Sequence, residues 1–272
     1  MTHGHLARRR TRQWIALAGG FLFFGAAAAV SANAYREVPV ANGGRVRGVV
    51  RLSGAPPEAV VAPAAKDEAV CGKEPTLPRL VVGKAGGVAN AVVWLEGIAA
   101  GKPWTNGHQV AVDQRGCSYQ PHVAVVPVGA NLEIVNSDPV LHNVHARTHE
   151  APRTVFNISL PLVGQRTPVD GKRLDEPGLM ALSCEAGHPW MSGYLMVAAH
   201  PYYAVTGEDG SFTLEGVPPG TYTLRMWHEG VKVASYAASL QRYTFEEPYE
   251  ASKSITVGSG AEARADFTLT LR

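Results

Sequence analysis

The chain is poor in the residues that would make it a disulfide-dense scaffold or a nucleic-acid binder. Only three of its 272 residues are cysteine and five are methionine. Three thiols cannot build a framework of several bridges, and any pairing leaves one over. The formal net charge is only +2, and its sign belongs to the N-terminus. Arg8, Arg9, Arg10 and Arg12 face no acid within residues 1–34, so the remainder stands near −2. That balance offers no electrostatic footprint for nucleic acid. After the N-terminal segment no long helical period appears, and proline and glycine are frequent. A helical bundle is thereby excluded. Nor does any later stretch have the length needed to span a bilayer.

What the N-terminus does have is the layout of a secretory signal peptide. The arginines form a positive region, Trp14 to Val30 an apolar one, and Ala32-Asn33-Ala34 an A-x-A cleavage site. The apolar stretch has seventeen residues, against roughly twenty for a membrane span. Cleavage after Ala34 would release the chain to the periplasm or the extracellular space. Membrane contact is expected only if the segment stays uncleaved as an anchor.

The rest reads as all-β. Alternation runs through "RVRGVVRL" (Val46, Gly48, Val50, Leu52), "VAVVPV", "NLEIVN", "SFTLEG", "TYTLRM" and "DFTLTL". Period two over short runs predicts half-buried strands. Turn signals separate them: Ser53-Gly54, Gly86-Gly87, Asp209-Gly210 and Pro219-Gly220. Asp-Gly predicts a hairpin, and Pro-Gly the central pair of a type II turn.

The segment "VTGEDGSFTLEGVPPGTYTLRMWHEG", Val205 to Gly230, resembles the carboxypeptidase regulatory-like domain, a transthyretin-like β-sandwich. The resemblance implies earlier strands of the kind found in "RVRGVVRLSGAPP" and "VANAVVWLEG". Roughly a hundred residues separate those from the Asp-Gly hairpin. The arrangement this suggests is a second sandwich inserted into the first; two consecutive sandwiches are the alternative. The expected parts are the leader 1–34, the first part of the regulatory-like sandwich 35–108, the insert 109–199, and the second part 200–272. The resemblance implies an accessory module and no peptidase activity.

Within the insert, "SCEAGHPWM" gathers Cys184, His188 and Met191. Thiolate, imidazole and thioether together suit copper, since soft sulfur holds Cu(I) and imidazole suits both oxidation states. Upstream, "YQPHVAVVPVGANLEIVNSDPVLHNVHA" has an aromatic-x-Pro, a strand, a glycine turn, a second strand, then N-x-D and H-N-V. With the cysteine loop, this span from Tyr119 to Val197 resembles a cupredoxin such as plastocyanin, a Greek-key β-sandwich. The resemblance implies one copper ion held by His142, Cys184, His188 and Met191. It makes Asn143 a support that holds the two ligand loops together. Cys-x3-His-x2-Met also ends the binuclear motif of cytochrome oxidase subunit II. The second cysteine of that motif is here Met180, which favours a single ion.

With Cys184 among the ligands, Cys71 and Cys117 are the natural disulfide pair in an oxidising compartment. His122 is read as a supporting residue or possible ligand. His145, three residues after His142, would face the other side of a regular strand and is expected at the surface. Trp190 is either core or the border of an apolar docking patch.

Three functions remain in view. The first is single-electron transfer, with the electron leaving through the edge of His188 toward a cytochrome or oxidase. The second is copper storage or delivery to a copper-handling protein without redox turnover. The third is a copper enzyme with a more open site built on His122, His142 and His145.

Overall fold

Alternation in the sequence becomes strand almost throughout. In Gly44–Ser53, Val46 and Val50 are fully buried while Arg45, Arg47 and Arg51 face solvent. The computed structural model describes residues 35–105, 109–237 and 242–272, together with Met1. The rest of the leader expected at 1–34 falls outside the described residues. None of the described helices is long and apolar enough to cross a membrane.

Two sandwiches are present, each closed around its own core. In the outer one, a sheet runs in the order Tyr203–Val205, Val92–Glu96, Gly220–His228, Tyr249–Val257. Against it lies a sheet in which Gly44–Ser53 pairs with Ser211–Val217 on one side. On its other side, Gly44–Ser53 pairs in parallel with Glu262–Arg264 and then Phe267–Thr270. Strands from before residue 106 and after residue 202 therefore share both sheets. Val46, Leu95, Tyr202, Phe212, Leu224 and Phe267 fill the space between them.

The strands between these two sets build the middle sandwich. One sheet has the order Thr154–Leu160, His142–Thr148, Gly178–Ser183, Ser192–Ala198, Val123–Pro127. The other runs Gln165–Val169, Asn131–Asn136, Gln109–Gln114, Tyr119–Gln120. Its core includes Leu132, Ile134, Val144, Leu182, Trp190 and Leu195.

Two local expectations are corrected. Gly220 has no positive φ and simply begins a strand, so Pro219-Gly220 is not a type II turn. The left-handed residue is Gly216, φ 65°, where the pairing with Gly44–Ser53 slips by one residue. Asp209-Gly210 does turn the chain, with Gly210 at φ 72° and its Cα beside Val50 O. A Cβ there would come within 2.2 Å of that oxygen, so only glycine fits. The segment 60–77, assigned from sequence to the outer sandwich, instead packs on the middle core. Ala62 and Leu77 are buried in that core, and Val60, Ala64, Val70 and Cys71 pack against it.

Where the sandwiches meet, Val92, Val123, Tyr194, Met196 and Trp227 form a third apolar cluster. Beside it is a buried ionic group. Glu229, 1% exposed, pairs with Arg79, 4% exposed, and with His122. Arg79 also donates to Gly230 O at 2.7 and 3.0 Å and lies over the Phe245 ring. Burial pushes the Glu229 carboxyl up, but the charges of His122 and Arg79 outweigh it and hold the carboxyl below the usual range. Removing one member of such a group strands the others in a dry junction.

Glu229→Ala should therefore destabilise the protein by about 3–5 kcal/mol, read as a lowered denaturation midpoint. The fragment 201–272 should be unfolded alone, because its strands lack Val92–Glu96 and Gly44–Ser53 as partners. Poor amide dispersion in its NMR spectrum is the expected result.

Candidate metal centre

Three elements deliver the donor group. His142 opens the strand His142–Thr148, whose first residue pairs with Leu160. Cys184 follows the strand Gly178–Ser183, where Ser183 pairs with both His145 and Ser192. His188 lies in the loop between that strand and Ser192–Ala198, and its carbonyl accepts the Met191 N–H at 3.0 Å. Gly187, with φ 91°, makes the bend before His188.

The ligand atoms of His142, Cys184 and His188 all lie within 4.8 Å of one another. His142 Nδ1 faces His188 Nδ1 at 3.1 Å, and Cys184 Sγ lies 3.7 Å from His188 Nδ1. Both histidines are 0% exposed and Cys184 is 5% exposed. The opposite ring nitrogens are each met by a carboxylate. His142 Nε2 is 2.9 Å from Asp138 Oδ2, and His188 Nε2 is 2.9 Å from Asp67 Oδ2.

Donor accounting then decides what the group can hold. A carboxylate only accepts, so each Nε2 carries its ring's proton, an assignment fixed by the hydrogen-bond network. In a neutral ring that leaves Nδ1 with a bare lone pair. Two bare lone pairs and a sulfur converge in a dry interior, which calls for a cation between them. The spacing fits one. Donor atoms 3.1 and 3.7 Å apart are close enough to share a single small cation, with each nitrogen at about 2.0–2.1 Å and the sulfur at about 2.3 Å from it.

Electrostatics favour the neutral, ligating form of the His188 imidazole and oppose the thiolate of Cys184. Burial pushes the His188 imidazole down, against the pull of Asp67, so the ring is neutral at neutral pH. Burial pushes the Cys184 thiol up, and the backbone N–H groups of Ala186 and Asn143 and the Lys66 charge, which favour the thiolate, offset this only in part. A bound cation would add to the second set. Asp138 is held below the usual carboxylate range. Burial raises it, but the N–H groups of Cys117 and Gly116, each 2.8 Å away, and His142 more than offset that.

Asn143 links the two ligand segments: its Oδ1 accepts the Glu185 N–H at 2.9 Å, next to Cys184. Met191 is buried in the same core cluster as Cys184. Cys71 and Cys117 form a disulfide, and Cys184 is a buried free cysteine. Trp190 is core, donating its Nε1–H to Cys117 O at 3.2 Å.

Two histidines depart from expectation. His122 does not support this group; it is committed to Glu229 at the junction. His145 is buried instead of exposed. Its Nδ1 meets Glu185 Oε1 at 2.7 Å and its Nε2 meets Thr154 Oγ1 at 2.7 Å, on the sheet face opposite His142. Glu185, also paired with Arg147, makes that face polar enough to bury an imidazole. Sequence reasoning also missed the two carboxylates. Asp138 stood inside the N-x-D motif, whereas Asp67 had no signal except Cys71 four residues later.

Residues 193–270 match the family model of the carboxypeptidase regulatory-like domain, a stretch that begins in the last strand of the middle sandwich. No curated protein matches the sequence. Among solved structures, a copper-containing nitrite reductase from Thermus scotoductus SA-01 is similar at 27% identity and TM-score 0.29. The match covers 38% of this chain and 24% of the reductase. A purple cupredoxin from Nitrosopumilus maritimus is similar at 23% identity and TM-score 0.28, over 33% of this chain and 99% of that one. What points to a metal is the donor group itself.

Denatured, metal-free protein should show one reactive thiol, Cys184, and the native protein should react with an alkylating reagent far more slowly. Thiol counting checks both, and three reactive thiols would contradict the bridge.

Proposed function

We propose that the chain is an exported protein that binds one copper ion through His142, Cys184 and His188, with Met191 as a weak fourth donor, and carries single electrons. The observation behind this reading is the pair of Nδ1 atoms facing each other at 3.1 Å beside Cys184. Two imidazoles and a thiolate with a distant thioether are the donor set of copper electron-transfer sites. Copper would supply the exchange of one electron between its two oxidation states.

The chain's own residues hold the donors still. Asp138 and Asp67 fix which nitrogen of each ring is free. Asn143 ties the Cys184 segment to the His142 strand. Because His142, Cys184 and His188 are already placed and buried, little rearrangement would accompany a change of charge. Burial also argues against the other two functions. Delivery requires donors that a partner can reach, and these are at most 5% exposed. An open His-rich enzyme site would need His122 and His145, which are engaged elsewhere. A cytochrome or oxidase is the class of partner this reading implies.

Copper-loaded protein should carry about one copper per chain and show an intense thiolate-to-copper band in the visible spectrum. Cys184→Ser should abolish that band, and Met191→Leu should keep it while raising the potential. A Cys184→Ser variant that keeps the band would exclude the assignment. A colourless protein that prefers zinc would exclude electron transfer.

A further inference from the structure

Asp67 occupies an unusual place. It precedes the single helical turn Glu68–Cys71 as its N-cap, with φ 57° and ψ 26°, in the left-handed region. Aspartate at an N-cap ordinarily turns its carboxylate back to the helix's own N–H groups. Here the side chain makes no such bond. Its Oδ2 instead takes the His188 Nε2–H at 2.9 Å, across 121 residues of sequence. Left-handed backbone at a non-glycine residue persists where surrounding structure enforces it, and aspartate tolerates it better than most.

The enforcing structure is visible. Residues 60–77 fold back on themselves, with Ala62 N–H on Pro75 O, Ala64 N–H on Lys73 O and Leu77 N–H on Val60 O, each at 2.9 Å. Their apolar side chains rest on the middle core. Cys71 is stapled to Cys117, whose own N–H is held by Asp138, the carboxylate that also holds His142. Lys66 lies over Gly187, where its Cε would sit 2.6 Å from an added Cβ. The segment covers the loop that carries His188.

We propose that residues 60–77 are a stapled cover over the metal centre and that Asp67 is a positioning residue for His188. Asp67 fixes the ring with Nδ1 toward the donor group and closes the Nε2 edge to solvent and competing ligands. This rests on the copper reading above. Two consequences follow from the chemistry. Holding a ligand's far nitrogen normally contributes 10- to 100-fold in metal affinity. A carboxylate on that nitrogen favours Cu(II) over Cu(I), which lowers the potential.

The test uses full-length, copper-loaded protein, with thiol counting to confirm the Cys71–Cys117 bridge in each variant. Asp67→Asn keeps an acceptor oxygen but loses the charge. Its potential should rise, by about 59 mV for each tenfold change in the Cu(II)/Cu(I) affinity ratio, while copper loss to bicinchoninate stays within a few-fold of wild type. Asp67→Ala loses both, and should release copper to bicinchoninate at least about tenfold faster. If wild type shows the thiolate band but Asp67→Asn leaves the potential unmoved, the positioning role is overturned and the copper reading stands. If wild type itself binds no copper, the copper reading fails, and this inference with it.

Discussion

Everything at the centre of this protein depends on one electrostatic constraint. Two imidazole nitrogens, each turned inward by a carboxylate on the far side of its ring, are pressed together in a dry interior. Such a pair is unfavourable unless held from outside and filled from inside. The holding is continuous. From His142 it passes to Asp138, to the Cys117 backbone, through the disulfide to Cys71, and along one helical turn to Asp67 and His188. The chain thus closes a ring around the site in which each member limits the movement of the next. A carboxylate removed from this ring frees its imidazole to rotate.

The second organising feature is the junction between the sandwiches. Its apolar members would hold the two bodies together but would not fix their register, because apolar contact is non-directional. The Arg79, Glu229 and His122 group is directional, and it draws on three separate segments of chain. Its retention in a buried place is better read as specifying one arrangement than as adding net stability.

Legibility followed the range of the interactions. Strands were readable because period two is local, as in Gly44–Ser53 and Phe267–Thr270. The donor residues were readable because Cys184 and His188 are four apart and His142 sits in a recognisable motif. His145 was misplaced because parity along a strand says which face a residue takes, not whether that face is covered; Glu185 and Thr154 cover it. His122 was misplaced because its partner, Glu229, lies 107 residues away in the other sandwich. Asp67 was invisible for the same reason. The match at residues 193–270 reaches only part of the chain, and nothing within it hints that a piece of residues 35–105 roofs the middle sandwich.

The parallel pairing of Gly44–Ser53 with the last strands of the chain sets an order in time. The Val49 N–H meets Asp266 Oδ1 across 217 residues, and such closures are slow compared with local pairing. The middle sandwich is made of consecutive strands and can form as soon as it has been synthesised. The outer one must wait for its final residues, holding Val46 and Val50 without a complete core meanwhile. During that wait Gly44–Ser53 is an uncovered apolar edge, and an unpaired edge is what other chains join. The already folded middle body separates the two halves of the outer sheet. Its entry and exit strands also hold those halves near one another, shortening the search that the C-terminus must make.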